Sequence, residues 1–425
     1  MKRFILVVLA SLLLSALVFA QRENIPAVEA SPDIYQGNLV LNGNNVTVIE
    51  GRFDINGNII VEENATLILK NAMVNFTETD DWQFFMTLRN PANGNPRVHV
   101  TNTTITSTHK FSIKFYGNSS ATIYDSKITA SAGDYCWLWA YDSSIASFYN
   151  LTIRGVSATS MANVSVFDST IEDLNTYESC TVSVSNSTIY GIEDYGTSVH
   201  SLLKSAITYL FTYDFSQVSV DNCEISLSHS EGSSMITASQ SSYIDSLIGN
   251  NSSQLRISDS TINWLSVYEQ TALWLVNSTY SHCATLDQSK VYVCWYLDVR
   301  VIDSVGQGVP SANVAAFYPN ATVAEFRHTD VDGRARLTLM EKMMNATGTY
   351  PIGNYAVEAT YETYSDSTSV NMTENKQITL QLPFIVPEFP SLFVLPLFMM
   401  ATLLAIIVHI RKRFKHPIGP QHGVR

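Results

Sequence analysis

The stretch TVSVSNSTIYG, Thr181–Gly191, decides the fold, because the chain keeps rewriting it. Close variants run VSVFDSTIED from Val164, VSVDNCEISL from Val218 and LRISDSTINW from Leu255. Taking the apolar residue that closes each version as an anchor gives Ile153, Ile171, Ile189, Ile207, Ile225, Tyr243, Ile262 and Tyr280. Successive differences are 18, 18, 18, 18, 18, 19 and 18. Upstream, Phe53, Val74, Ile105 and Ile128 continue the series at spacings of 21, 31, 23 and, to Ile153, 25. A fixed period in this range marks a stacked architecture, in which no repeat can bury its own apolar face.

Inside each repeat the wording is apolar-x-apolar-x-Asn/Asp-Ser/Thr-x-apolar. Val182 and Val184 alternate with polar neighbours, which predicts a strand with one buried face. The Asn or Asp that follows recurs as Asn102, Asp125, Asn150, Asp168, Asn186, Asn222, Asp259 and Asn277. Such side chains bond nearby backbone and tolerate left-handed conformations, so they suit a tight corner. Strand, corner and strand fill 18 residues and leave no room for a helix. The expected solution is a parallel β-helix, with Asn and Ser stacked in ladders from coil to coil. About twelve anchors at a strand spacing of about 4.8 Å give a rod of roughly 55–60 Å.

On these NSTI and DSTI corners the chain resembles right-handed β-helix proteins of the pectin-lyase-like superfamily, over residues 35–296. The likeness concerns architecture. A left-handed β-helix writes hexapeptides with a small residue after each aliphatic, and these are missing here. A propeller blade needs about twice the period.

The totals agree with an exported all-β protein. At 425 residues the chain is too long for one compact core. Apolar residues make up 46 %, too many for a disordered chain. The net charge of −13 argues against a nucleic-acid partner, which would need a basic face. The five cysteines show no metal spacing, and their odd number leaves at least one unpaired within the chain.

Both ends carry address information. Residues 1–20, MKRFILVVLASLLLSALVFA, place Lys2 and Arg3 before an apolar run ending in Val18-Phe19-Ala20, the pattern of a secretory signal. Residues 391–410 form an apolar stretch long enough to span a bilayer as one helix. The basic tail 411–425 follows, and Arg411, Lys412, Arg413 and Lys415 orient it to the cytoplasm. This predicts a cell-surface protein anchored in the cytoplasmic membrane with its N-terminal ectodomain outside.

From Leu297 the wording changes. Segments Asp298–Asp303 and Asn313–Tyr318 read as an antiparallel meander, with further strands in NYAVEATYETY and KQITLQL. Residues 297–382 resemble the carboxypeptidase-regulatory-like, Ig-like sandwich on Gly308, Val309, Pro310, Ala312, Val314, Thr329, Asp330, Asp332 and Gly333. Asp330 and Asp332 are the residue type of a calcium ligand, but the rest of such a loop is absent, and a hairpin turn is the favoured reading. The linker 383–390 ends in Pro387, Glu388, Phe389 and Pro390. Ahead of one span and a basic cluster, this resembles the PEF-type sorting signals of archaeal surface proteins. The resemblance implies an archaeosortase-like processing enzyme as a partner, while the longer tail leaves a retained span open.

Asn-x-Ser/Thr sequons begin at Asn45, Asn64, Asn75, Asn102, Asn118, Asn150, Asn163, Asn186, Asn250, Asn251, Asn277, Asn320, Asn345 and Asn371. Several are corner positions, so Asn64, Asn118, Asn163, Asn250, Asn320 and Asn345 are the expected acceptors of N-linked sugar.

No catalytic, cofactor or metal residue is assigned. The acidic pairs Asp80-Asp81, Glu172-Asp173 and Glu193-Asp194 do not line up on one wall, since Asp173 projects onto Gly191, and solvated corners are the expectation. DYCWLWAYD, Asp134–Asp142, puts Trp137 and Trp139 on one side of a strand with Leu138 opposite. Core or coil-to-coil stacking is the commoner use of such a pair, and glycan stacking the functional one. The sequence therefore favours a surface structural or adhesion protein with an envelope polysaccharide or protein as partner. The competing class is an extracellular polysaccharide lyase or glycoside hydrolase on the same scaffold.

Overall fold

The computed structural model describes residues 27–28, 34–90, 94–130, 135–386 and 391–413. The secretory signal expected at residues 1–20 and the expected sorting motif at Pro387–Pro390 lie outside them. The chain is nearly all β and divides into two compact units. One comprises Met1–Tyr296, Thr338–Asn354 and Asn371–Lys376, the other Leu297–Leu337, Tyr355–Val370 and Gln377–Arg425.

The first unit is a long parallel sheet compatible with a β-helix. Strand Asn163–Phe167 pairs with Thr181–Ser185, which pairs with Val199–Leu203, each residue opposite the one eighteen later. The strands after the corners do the same, Ile171 against Ile189 and Ile189 against Ile207. The looser upstream anchors are also in register, Phe53 on Val74, Val74 on Ile105 and Ile105 on Ile128. One anchor moves. Ile225 stacks on Ile244 and Ile244 on Ile262, so Tyr243 is an outward residue. The extra residue is absorbed at the corner, where Gln240 and Ser241 both take positive φ, at 55° and 65°.

Two ladders hold the corners. All eight corner Asn and Asp residues have φ between 47° and 52°, a region that short polar side chains enter more cheaply than others. Outside, Asn102 Nδ2 donates to Asn71 Oδ1 at 2.8 Å, Asn150 to Asp125 at 2.9 Å and Asn277 to Asp259 at 2.6 Å. Inside, the next residue is a buried Ser at most corners, with Thr103, Leu151 and Cys223 in that place at the others, and the hydroxyls close a second ladder. Ser169 N–H donates to Ser187 Oγ at 3.1 Å, and Ser187 N–H to Ser205 Oγ at 3.2 Å. Each hydroxyl in turn donates to the carbonyl two residues before it, as Ser187 does to Ser185 at 2.8 Å. Cys223 takes the same place, accepting from Ser205 N–H at 3.4 Å. Buried backbone donors that face no strand are thereby satisfied.

The last coil is closed by chain from further on. Strands Arg334–Asn345 and Gly348–Pro351 form a hairpin, Lys342 opposite Pro351 and Asn345 opposite Gly348. Met344 packs against the apolar core, and Trp295 Nε1 donates to Glu341 at 2.7 Å. Asn375 Nδ2 donates to Asn277 Oδ1 at 2.6 Å and so extends the outer ladder by one step. Covering a terminal edge in this way blocks further strand addition. Residues 338–354 and 371–376, which the sequence reading placed in the sandwich, thus group with the coils.

The second unit contains a four-stranded antiparallel sheet in the order Val323–His328, Asn313–Phe317, Asn354–Tyr361, Tyr364–Asn371. The expected meander of 298–303 with 313–318 is not the pairing found, since Asn313–Phe317 lies between Val323–His328 and Asn354–Tyr361. Val314, Ala316, Val357 and Ala359 bury one face. Asp303 is buried in the same unit. Burial alone would raise its carboxyl, but the backbone N–H groups of Val386, Gln307 and Val305 donate to it and hold it below the usual carboxylate range.

A helix spans Ser391–Arg413. Its described side chains run from Leu397 to His409 and all are exposed. Among the described residues no helix is long and apolar enough to cross a membrane.

Candidate functional site

After each corner the strand bends, so that two adjacent outward columns run along the coils. One reads Trp137, Gly155, Asp173, Gly191, Tyr209 in successive coils. The other reads Trp139, Ser157, Asn175, Glu193, Phe211. The projection of Asp173 onto Gly191 therefore holds.

Strand Cys136–Ala140 buries Cys136, Leu138 and Ala140 and turns Trp137 and Trp139 outward, half-buried against the wall. The two indoles meet at 5.5 Å, and Trp139 stacks on Tyr141 at 6.0 Å and 8°. Glycine at 155 makes this possible. A Cβ there would lie 2.5 Å from the Trp137 ring, so the indole rests flat on bare backbone. Both tryptophans sit outside the apolar core, stacked on the coils.

Beside them the charged groups form a chain of contacts. Arg154 lies over the Tyr135 ring at 4.2 Å and pairs with Glu172 at 3.3 Å. Lys110 lies 5.0 Å from the centre of the same ring and pairs with Asp81 at 3.1 Å. Asp173 and Glu193 complete the patch. Burial raises the Asp173 carboxyl above its ordinary range, Arg154 lowers it in part, and Glu193 adds to the rise. Two coils beyond Asp173, Tyr209 stacks with Phe211 at 6.1 Å and meets Tyr190 edge-on at 5.1 Å. The face thus presents aromatic platforms four coils apart, about 19 Å at the strand spacing, with carboxylates, a guanidinium and an amide between them.

The expectation of solvated corners fails for part of the acidic set. Asp81 and Glu172 are exposed, but Asp173 and Glu193 are half-buried and Asp194 is fully buried. Asp194 belongs to a polar cluster inside the coils that the sequence reading missed. Its Oδ1 accepts from Thr176 Oγ1 at 2.7 Å and from Ser198 Oγ, and His200 Nε2 lies 3.0 Å from Thr176 Oγ1. Burial pushes the Asp194 carboxyl up to about 7 and the His200 imidazole down to about 3. A protonated carboxyl and a neutral ring are the forms this interior favours. The period carried the signal, because Asp194 follows Thr176 and His200 follows Val182 at intervals of 18. Glu78 is a second buried acid, raised to about 7 by burial against the donors Ser107 and Phe84.

Among the described residues no group of three or more His, Cys, Asp or Glu side chains is arranged to hold a metal ion. Asp330 spends its Oδ1 on the N–H groups of Asp332 and Arg334, both at 2.9 Å, as a turn residue does. All five cysteines are free, and only Cys283 is more than marginally accessible. Of the expected glycosylation sites, Asn64, Asn118, Asn163 and Asn320 are exposed, and Asn250 and Asn345 half-buried. No protein-family model matches the chain, and no curated protein matches it.

Proposed function

We propose that this is a cell-surface structural or adhesion protein whose coiled unit, a right-handed parallel β-helix, binds a glycan along the face of Trp137 and Trp139. The arrangement carrying the reading is the half-buried indole pair beside Arg154, Glu172, Asp173 and Glu193. Sugar rings pack their C–H faces on aromatic planes, while carboxylates and guanidinium groups take up the hydroxyls. Aromatic walls with a few convergent polar groups are the usual make-up of a ligand site.

The anchor reading is supported by the exposed apolar surface of Leu397–Val408, which has no polar face to turn to water. A signal at 1–20, a PEF-type motif at Pro387–Pro390 with an archaeosortase-like processing enzyme, and the basic tail complete that proposal. The Ig-like unit would serve as the stalk of an archaeal-type envelope protein.

A glycan array probed with the purified ectodomain, run beside a polysaccharide-cleavage assay, tests the reading. Retention of a polysaccharide that is lost in Trp137→Ala supports it. Turnover of any polymer would instead make the protein a lyase or hydrolase.

A further inference from the structure

The tripeptide Asn-Ala-Thr occurs three times, at Asn64, Asn320 and Asn345. The structure gives it two different shapes. Asn320 lies in the hairpin turn between strands Asn313–Phe317 and Val323–His328, and Asn345 in the turn leading to Gly348–Pro351. In both turns the Asn oxygen folds back on its own threonine. Asn320 Oδ1 accepts from Thr322 N–H at 3.1 Å and Thr322 Oγ1–H at 2.7 Å. Asn345 Oδ1 accepts from Thr347 N–H at 2.9 Å and Thr347 Oγ1–H at 2.7 Å. Neither Nδ2 has an acceptor among the described residues.

At Asn64 the same three residues are spent on the neighbouring coils. Asn64 Oδ1 accepts from Asn95 N–H at 3.0 Å, and Thr66 N–H donates to Asn45 O at 2.8 Å. Four further sequons have their nitrogen engaged. The Nδ2 groups of Asn102, Asn150 and Asn277 are committed to the outer ladder, and Asn251 Nδ2 donates to Glu231 at 3.1 Å.

We infer that Asn320 and Asn345 are N-glycosylated and that Asn102, Asn150 and Asn277, the corner sequons whose Nδ2 is bonded in the ladder, stay bare. The inference rests on the proposal that the chain is exported. Two donors on Oδ1 stabilise negative charge there, so a proton leaves Nδ2 at lower cost and the nitrogen becomes a nucleophile. The co-reactant is an oligosaccharide carried on a polyprenyl phosphate or diphosphate. Nδ2 attacks the anomeric carbon, the N–C bond forms, the C–O bond to the carrier breaks, and the phosphate leaves with the bonding pair. The displaced proton passes to a base of the transferase. A ladder Nδ2 must first give up its hydrogen bond and open the corner.

The test is site occupancy by glycopeptide mass spectrometry. The full chain is made with its own leader in an N-glycosylating host and carries one extra sequon within an added Gly/Ser-rich linker inserted between Arg22 and Glu23. Sugar is expected on the tag, Asn320 and Asn345, with Asn102, Asn150 and Asn277 unmodified. A modified tag with bare Asn320 and Asn345 overturns the inference, as does full occupancy at the corners. Absence of sugar even on the tag overturns export, and the inference with it.

Discussion

Ser169 donates its backbone N–H to the hydroxyl of Ser187, eighteen residues later, at 3.1 Å in the buried interior. The hydroxyl exists to satisfy a corner N–H that no strand can reach. Ser187→Ala should strand that donor and cost about 1–3 kcal/mol, the usual penalty for an unpaired buried polar group. Ser187→Cys should cost less, because Cys223 already fills the equivalent place. Urea unfolding of the three proteins checks the order, and an alanine variant as stable as the parent would show that the ladder is incidental.

The corner backbone gives a second prediction. Asn186 has φ of 51° and Lys204, one coil later, 49°, yet lysine has no side chain suited to that region. Lys204→Asn or Lys204→Gly should therefore stabilise the coil by up to about 1 kcal/mol, and Asn186→Ala should destabilise it by about 1–2 kcal/mol. Thermal melts of both substitutions in one background decide it. Equal effects of opposite expectation would mean that the left-handed corner is not the strained element.

How far the sequence reveals this molecule depends on the period. Val182, Ile189 and Asn186 announce strand, core and corner because every coil repeats them, so register and corner conformation follow from counting. Tyr243 misleads because a residue inserted at Gln240-Ser241 shifts the column by one, and an aromatic next to Ile244 mimics an anchor. Asn375 and Met344 could not be read at all, since the closure of the last coil depends on chain that returns from beyond residue 338 and carries no repeat. At the candidate site Trp137 and Trp139 were visible as an alternating pair. The bed beneath them was not, because Gly155 matters only once the coil above is in place. Asp194 looked like half of an exposed acidic pair, although its column, Thr176 and Thr212, pointed inward.

The buried Asp194 and His200 predict an unusual pH dependence. Asp194 is raised to about 7 from an ordinary 3.8, so its contribution favours the folded state at low pH and is lost as pH rises through that window. His200 is lowered to about 3 from an ordinary 6.5, so its contribution is lost as pH falls through its own window. Between 3.8 and 6.5 the unfolded chain carries the proton on histidine and the folded chain carries it on aspartate. The proton count is equal, and the two slopes cancel. Asp194→Asn should uncover the histidine alone, with stability falling by about 1.4 kcal/mol per pH unit below 6.5. His200→Val, matching Val182 and Val218 in its column, should uncover the opposite slope. Urea midpoints measured across pH for the three proteins provide the check, and parallel profiles would show that the pair is not buried in these forms.

Gly155 and Trp137 supply the last prediction, because they separate the shape of the proposed platform from its composition. A methyl at 155 would stand 2.5 Å from the indole, against a ring that cannot bend. Gly155→Ala must therefore lift Trp137 from the wall and tilt it against Trp139, while every group that could bond a sugar stays present. Gly155 is buried beneath the indole on the outward wall and not in the apolar core, so the cost in stability should remain at about 1–3 kcal/mol, the range for overpacking. Binding of the polysaccharide retained by the parent should fall as far as it does in Trp137→Ala. Isothermal titration against that polysaccharide, with circular dichroism confirming the folded state, reads both quantities. Undiminished affinity in Gly155→Ala, together with loss in Trp137→Ala, would mean that indole surface matters but its flat seating on the coil does not.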